Sequence, residues 1–228
     1  MASYQPLQER AYDYLKERIL SGEIEEGVFY SEAKVGSEIG VSRTPMRAAI
    51  LRLVQEGYIE NIPNKGFHLK PITIEDIEEV YRVRCAVEGY CGSLLQRNIT
   101  TAEGKAVLKA LEENYSHMED LEDKYVKDPS DRSLQEAIVK DDLLFHQMII
   151  EFSGSEHLME IFRTHRQMIS RLIRQGNDKM LRAGRILTEH RAIIDALKDP
   201  DGRKIYNAVE YHLGSTREVS TEILNKRA

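Results

Sequence analysis

The chain has 228 residues, of which 41% are hydrophobic and 31% are charged, and its formal net charge is −6. This composition suits a globular protein of two domains and excludes a protein coated with basic surface, so any nucleic-acid binding must come from a local basic patch. The sequence shows neither a membrane-spanning stretch nor a signal peptide. Cys85 and Cys91 lie six residues apart in one predicted helix, which argues against a disulfide and for a reducing, cytoplasmic location.

Residues 1–70 are predicted to form three helices followed by a β-hairpin. Gly22 and Gly57 are placed to end the first and third helices, and Ser31 is placed to begin the second. The helices are expected at residues 7–21, at residues 32–39 and, after a turn at Gly40, up to about residue 56; the strands are expected at residues 58–62 and 66–70. This order is typical of a winged helix-turn-helix domain, in which the hairpin is the wing.

The remainder of the chain shows only helical patterns. Residues 71–73 are predicted to be a linker, and Thr73 followed by Asp76 favours a capped helix start. Helices are expected at residues 74–98, 102–127, 133–152, 156–176, 187–198 and 203–225. The predicted fold is therefore mainly α, with a winged helix-turn-helix domain at residues 1–70 and an all-α six-helix bundle at residues 74–228.

The predicted third helix carries the candidate DNA-binding residues. Arg43 and Arg47 lie one turn apart, and no acidic residue occurs in residues 41–55. Arginine binds the guanine edge or phosphates, and a helix N-terminus attracts phosphate through its backbone N–H groups. The alternative is a surface-charged helix whose arginines pair with Glu38 or Glu56. The candidate set combines the helix start with the tip of the wing: Ser42, Arg43, Thr44, Pro45, Arg47, Asn64, Lys65 and Gly66.

A specific motif supports DNA binding more strongly than the charge pattern does. Residues 41–47 read Val-Ser-Arg-Thr-Pro-Met-Arg, and Glu56-Gly57 and the wing glycine Gly66 follow. This pattern resembles the winged-helix domain of the GntR family of bacterial transcription regulators. The chain departs from the family at Ala48, where glutamate is usual, and at Val35-Gly36, where Leu-Ala is usual. Further residues that carry the resemblance are Gly27, Ser31, Glu32, Leu51, Leu53, Asn64 and Lys65.

Four residues of the helical region form a candidate metal site. Asp142 and His146 are four residues apart in a predicted helix, so both side chains leave the same face. His190 and His212 lie on two further predicted helices, with apolar neighbours that would aim them inward. Three imidazoles and one carboxylate suit zinc, nickel, iron or manganese. The alternative is a set of buried histidines that are satisfied by hydrogen bonds.

The same residues carry a second resemblance. Asp-x-x-Phe-His at residues 142–146, Glu-His at residues 189–190 and the final His212 resemble the pattern of the FCD ligand-binding domain of the FadR subfamily. The resemblance implies that Asp142, His146, His190 and His212 bind a divalent cation, with zinc expected first, and that the cation helps to hold an organic acid. Six helices favour the VanR-like branch over the acyl-CoA-binding branch.

Arg84 and Glu88 match an Arg-x-x-x-Glu motif of the first FCD helix, so both are candidate effector-binding residues. The resemblance makes Arg84 the expected partner of an effector carboxylate. The alternative is an ion pair within the protein, for example between Arg84 and Glu88 one turn away. The remaining histidines are expected to be solvated or structural: His68, His117, His157 and His165.

The expected function is transcription regulation, most simply repression, by a cytoplasmic homodimer that binds a palindromic operator. A small carboxylate effector, held by the metal and Arg84, is expected to control DNA binding. Two alternatives stay open at this point: a metal-responsive regulator in which the cation is the signal, and a metal-dependent hydrolase, since a metal with open positions can activate water.

Overall fold

The computed structural model describes residues 5–175 and 184–226, except for the side chains of residue 167 and residues 170–175. The chain divides into two compact units between Ile72 and Thr73. Within the described residues, the first unit combines three helices with a two-stranded sheet, and the second contains helices alone. This confirms the predicted fold class.

The first unit has the helix, helix, helix, hairpin order that the sequence predicts. Its elements are α1 (Leu7–Ser21), α2 (Glu32–Glu38), α3 (Arg43–Gln55), β1 (Ile59–Ile62) and β2 (Gly66–Leu69). Leu15 of α1 and Met46 and Leu53 of α3 are fully buried, and Phe67 of β2 belongs to the same core. Removing this apolar surface from water fixes one face of α3 in the core and leaves the opposite face exposed.

The hairpin pairs β1 and β2 antiparallel, with Ile59 opposite Leu69. Gly66 begins β2 with a φ of 98°, a value in the left-handed region that favours glycine. A Cβ at Gly66 would also lie 2.2 Å from the carbonyl oxygen of Tyr30, which forms a bridge to Phe67. Glycine is therefore required at the base of the wing both by its backbone conformation and by the space available.

The second unit contains six helices in its described residues, which confirms the predicted bundle. They are α4 (Ile74–Arg97), α5 (Ala102–Lys127), α6 (Arg132–Glu151), α7 (Glu156–Gln175), α8 (Arg185–Lys198) and α9 (Gly202–Asn225). The predicted capping box at the start of α4 is present, with Thr73 accepting from the N–H of Asp76. α8 begins two residues earlier than predicted, and the predicted end of α7 at Gly176 lies outside the described residues.

Close packing around α4 brings the inner faces of several helices together. α4 packs chiefly against α9, and it also contacts α6 and α8. Small residues permit this approach, since a Cβ at Gly92 would lie 3.0 Å from Ile205 and one at Gly89 would lie 2.6 Å from Tyr206. None of the described helices is long and apolar enough to cross a membrane.

Candidate metal centre and DNA-binding helix

The four predicted metal ligands lie together in the interior of the second unit. Asp142 and His146 come from α6, His190 from α8 and His212 from α9. One ligand atom from each side chain lies within 4.8 Å of the others. The three histidines are at most 1% exposed, whereas the side chain of Asp142 keeps 19% of its surface exposed. The packing of three helices therefore assembles a carboxylate and three imidazoles that are distant in the sequence.

Two of the imidazoles face each other through their Nε2 atoms. The Nε2 atoms of His146 and His212 lie 3.0 Å apart. The Nδ1 of His212 lies 3.0 Å from Oε2 of Glu189, and the Nδ1 of His146 lies 2.7 Å from Oε2 of Glu88, although that contact lacks the alignment of an ideal hydrogen bond. A carboxylate favours the proton on the nitrogen next to it. Both Nε2 atoms then carry lone pairs that point at one another.

His190 is a buried member of the cluster whose ring nitrogens are available to a cation. It is fully buried, and neither ring nitrogen has a well-aligned hydrogen-bond partner among the described residues. Its Nε2 lies 3.3 Å from Oδ1 of Asp142, and its ring stacks on Phe145 with centroids 4.2 Å apart. Burial lowers the pKa of His190 to about 4, against the opposing influence of Asp142. His190 is therefore neutral and offers a lone pair at neutral pH.

Asp142 supplies the negative charge of the cluster. Burial raises the pKa of its carboxyl, but the close contact with His190 and the other two imidazoles lower it by more, so the net pKa lies well below its ordinary value. The pKa of His212 is lowered by burial, against the hydrogen bond to Glu189. A carboxylate with three imidazoles, brought together in the protein interior, is the donor set that a divalent transition-metal ion prefers.

Arg84 and Glu88 both lie on α4 and are buried next to this cluster. Nε of Arg84 contacts Oε1 of Glu88 at 2.5 Å, so the ion pair that was the alternative to effector binding is present. The same Glu88 also reaches His146. Burial raises the pKa of Glu88, but Arg84 and His146 outweigh it and lower the pKa to about 2. Nη2 of Arg84 is buried without a hydrogen-bond partner among the described residues, so one donor is left for a further acceptor.

The sequence predicts no role for Glu189 beyond its place in the Glu-His pair that resembles the FCD domain. Glu189 is 4% exposed and contacts His212 as well as Nε of Arg185, which lies 3.0 Å away. The only signal in the sequence is Arg185 four residues earlier, which explains the ion pair but not the contact with His212. That contact depends on how α8 packs against α9.

The other four histidines lie outside the cluster. His117 contacts Asp141 at 2.5 Å and keeps 61% of its side chain exposed. His68 lies 3.4 Å from Glu60 at the wing, and His157 is exposed. His165 is half-buried, and its Nδ1 is buried without a hydrogen-bond partner among the described residues.

In the first unit, α3 presents its predicted DNA-binding residues to solvent. Ser42, Arg43 and Thr44 are exposed, Pro45 is half-buried, and the side chain of Arg47 is 79% exposed. Ser42 is the N-cap residue but makes no side-chain capping hydrogen bond. The wing tip is also accessible, with Asn64 and Lys65 exposed and Gly66 half-buried.

The alternative of pairing with Glu38 or Glu56 holds for Arg52 of α3, which pairs with Glu56, but the described residues contain no such pair of Arg43 or Arg47. Glu38 pairs with Arg18 of α1, and Glu56 pairs with Lys16 and Arg52. Arg47 lies 3.9 Å from Glu32, a distance too long for a strong ion pair at an exposed site. The exposed face of α3 is thus positively charged and available to an anionic partner.

Both units of the chain are similar to known protein families. Residues 7–69 match the bacterial regulatory proteins of the gntR family, and residues 79–215 match the FCD domain. The gluconate operon transcriptional repressor of Bacillus licheniformis is 30% identical over 192 residues, which cover 82% of this chain and 74% of that protein. The uncharacterized HTH-type transcriptional regulator YdhC of Bacillus subtilis is 27% identical over 82% of this chain and 79% of that protein.

A solved structure shares the fold. E. coli McbR/YncC superposes with a TM-score of 0.64 at 21% identity, covering 98% of this chain and 99% of that chain. The matched families are transcription regulators, which confirms that the chain is not an enzyme and removes the hydrolase alternative. The chain belongs to the GntR family of bacterial transcription regulators, as a DNA-binding protein whose winged helix-turn-helix is followed by an FCD domain.

Proposed function

We propose that this regulator is a cytoplasmic, homodimeric repressor that responds to a small organic acid bound beside a divalent cation. The observation that carries the proposal is the cluster of Asp142, His146, His190 and His212 with its facing Nε2 atoms. Repression is supported by the name of the Bacillus licheniformis relative, a gluconate operon transcriptional repressor.

The cation is held by Asp142 and the three histidines. Zinc suits this donor set best, and nickel, iron and manganese share its preference for imidazole and carboxylate. When bound, the cation supplies a positive charge, and four protein ligands leave positions open to a water or a carboxylate in metals that accept more than four. Glu88 and Glu189 orient two of the imidazoles through their Nδ1 atoms, as partners of metal-bound histidines commonly do.

The effector carboxylate pairs with Arg84. Support comes from the burial of this guanidinium and from its unpartnered Nη2, since an unsatisfied charged donor in a protein interior is costly unless a ligand completes it. Tyr81 and Phe162 flank the guanidinium, with ring centroids 5.7 and 5.9 Å from its Cζ. A small anion with an apolar side fits these surroundings better than a strongly hydrated one.

DNA is bound by the exposed face of α3 and by the wing. Arg43 and Arg47 contact base edges or phosphates, Ser42, Thr44 and Pro45 place the helix start against the backbone, and Asn64, Lys65 and Gly66 form the contact of the wing. Two protomers related by a two-fold axis read the two halves of a palindrome. Effector binding shifts the population between dimers whose DNA-binding domains match the operator spacing and dimers whose domains do not.

A metal-responsive regulator is the second candidate, and one observation favours it. Arg84 already has an anionic partner in Glu88, so its charge is balanced without an effector. In that case the cation itself would change operator affinity. A cation that only helps to bind the effector would instead remain bound through dialysis. Adding or removing it without the effector would leave operator affinity unchanged.

Elemental analysis of the purified protein tests the cation site. We expect about one transition-metal ion per chain in the wild type and a loss of most of it in His146→Ala and in His190→Ala. His157→Ala is the matched control, because this exposed histidine lies outside the cluster. Full occupancy in both cluster variants would refute the site.

The effector is tested by fluorescence anisotropy with labelled operator DNA and a panel of C2–C6 hydroxy acids and dicarboxylates. At least one acid is expected to change operator affinity in the wild type and to have no effect in Arg84→Gln. An acid that acts equally on both proteins would show that Arg84 is not its partner.

A further inference from the structure

Glu88 lies between the two parts of the proposed site. Its Oε1 contacts Nε of Arg84 at 2.5 Å, and its Oε2 lies 2.7 Å from Nδ1 of His146. All three side chains are at most 2% exposed. A single buried carboxylate is therefore shared between the guanidinium proposed to meet the effector and an imidazole proposed to bind the cation.

Glu189 makes a comparable contact to another imidazole of the cluster, but its second oxygen meets a partly exposed arginine. It lies 3.0 Å from Nδ1 of His212, and its second oxygen contacts Arg185. The side chain of Arg185 is 43% exposed, so water already balances part of its charge. Each of the two carboxylates thus contacts one imidazole of the cluster. Of the two, only Glu88 also contacts a buried guanidinium, that of Arg84, whose Nη2 has no hydrogen-bond partner among the described residues.

The strength of a hydrogen bond to a carboxylate depends on how much of the negative charge that carboxylate can direct to it. Because Arg84 and Glu88 are both buried, solvent screens their interaction little, and Arg84 draws charge away from the oxygen that faces His146. A weaker acceptor at Nδ1 makes the imidazole less basic at Nε2, and carboxylate partners of this kind are known to tune the affinity of a metal site.

We propose that Glu88 is a positioning residue that couples Arg84 to the affinity of the cation site. An anion that pairs with Arg84 returns the charge of Glu88 to His146 and so tightens cation binding. Because such coupling is reciprocal, the cation also tightens anion binding. The inference rests on the proposed cation site but not on the identity of the effector.

Direct repulsion between Arg84 and the cation would also weaken cation binding, so the two causes must be separated. Repulsion through space does not require Glu88, and it acts equally whichever carboxylate is neutralised. Coupling through Glu88 disappears when Glu88 can no longer share its charge, but it survives when Glu189 is neutralised instead.

The test is a double-mutant cycle with Zn²⁺ alone as the probe, measured on metal-stripped full-length protein by competition with a chromophoric chelator. Glu88→Gln and Glu189→Gln are each expected to weaken Zn²⁺ binding about 10- to 100-fold. Arg84→Gln is expected to tighten it about fivefold or more in the wild-type and Glu189→Gln backgrounds, and to leave it unchanged in the Glu88→Gln background. An equal effect of Arg84→Gln in all three backgrounds would overturn the proposal.

Folding is monitored by circular dichroism and thermal unfolding. If Arg84→Gln does not fold, Arg84→Met replaces it, because methionine fills a similar space without a positive charge. The same pattern across the three backgrounds is expected, and its absence again overturns the coupling. A wild-type protein that binds no Zn²⁺, nickel, iron or manganese would refute the proposed cation site itself, which is a different outcome from a cation site without coupling.

Discussion

At the scale of single residues, the candidate metal centre depends on which imidazole nitrogen carries a proton. Carboxylate oxygens of Glu88 and Glu189 face Nδ1 of His146 and His212, and a proton on each Nδ1 would leave the lone pairs on Nε2. The spacing of Asp142 and His146 predicts a shared helix face, and the structure places their side chains together. The two supporting carboxylates were not predictable as such, because their contacts join α4 to α6 and α8 to α9.

Arg47 permits a residue-scale prediction on the DNA side. Its side chain is exposed, and the one acidic partner it has among the described residues, Glu32, lies 3.9 Å away, so it is available to a base edge. Arg47→Ala is expected to lower discrimination between operator and unrelated DNA by about 1–3 kcal/mol. Fluorescence anisotropy with both DNA duplexes measures this difference.

The matched control for Arg47 is Arg82→Ala in the second unit. Arg82 is similarly exposed and pairs with Glu79 on the same helix. The Arg82→Ala variant should therefore have the same operator affinity as the wild type. A loss in the Arg82 variant equal to that in the Arg47 variant would mean that net charge, rather than a specific contact, governs binding.

At the scale of elements, local sequence signals predicted most helix ends, and tertiary packing determined the remainder. Gly22 ends α1 with a left-handed φ of 82°, and Thr73 starts α4 with a complete capping box, both as predicted. The start of α8 was missed because Gly184 provides no side-chain cap. The N–H of Gly184 instead donates to Glu122 of α5, a contact between helices that is distant in sequence.

Helix capping supplies the prediction at this scale. The hydroxyl of Thr73 accepts from the N–H of Asp76, so Thr73→Ala is expected to lower the free energy of unfolding by about 1 kcal/mol. Ser42 is also an N-cap residue but makes no such bond, so Ser42→Ala should cost clearly less. Urea denaturation of the two variants compares them. An equal cost would show that the observed hydrogen bond at Thr73 does not stabilise the helix.

At the scale of the whole molecule, the charge is distributed unevenly. Residues 1–70 contain nine lysines and arginines against ten acidic residues, so most of the net charge of −6 belongs to the rest of the chain. Counterion release from DNA grows with the number of phosphates that a protein neutralises. With so few basic residues, non-specific attraction to DNA is weak, and in the proposed dimer operator affinity depends on correctly placed contacts from both protomers.

Metal removal gives a prediction for the molecule as a whole. A ligand that binds only the folded state stabilises it by about 2.7 kcal/mol at one hundred times its Kd. Zinc-loaded protein is therefore expected to unfold at a higher temperature than protein stripped with a chelator. Differential scanning fluorimetry measures the shift.

Two variants make the thermal shift specific. His146→Ala should unfold at the same temperature with and without zinc, whereas His157→Ala should keep the wild-type difference, since it lies outside the cluster. A zinc-dependent shift that persists in His146→Ala would place the stabilising cation elsewhere.

The four candidate ligands are spread over three helices, from Asp142 on α6 to His212 on α9, about 70 residues along the chain. A cation held there acts as a removable cross-link that closes this length of polypeptide. In the chain-entropy treatment used for disulfides, a closed loop of that size stabilises a fold by about 4 kcal/mol. If the proposed cation is bound, chains that lack it would open more often and be degraded faster, because proteolysis follows the population of open forms. The cellular lifetime of this regulator would then follow the supply of its metal, and the number of occupied operators would fall in a metal-starved cell even without an effector.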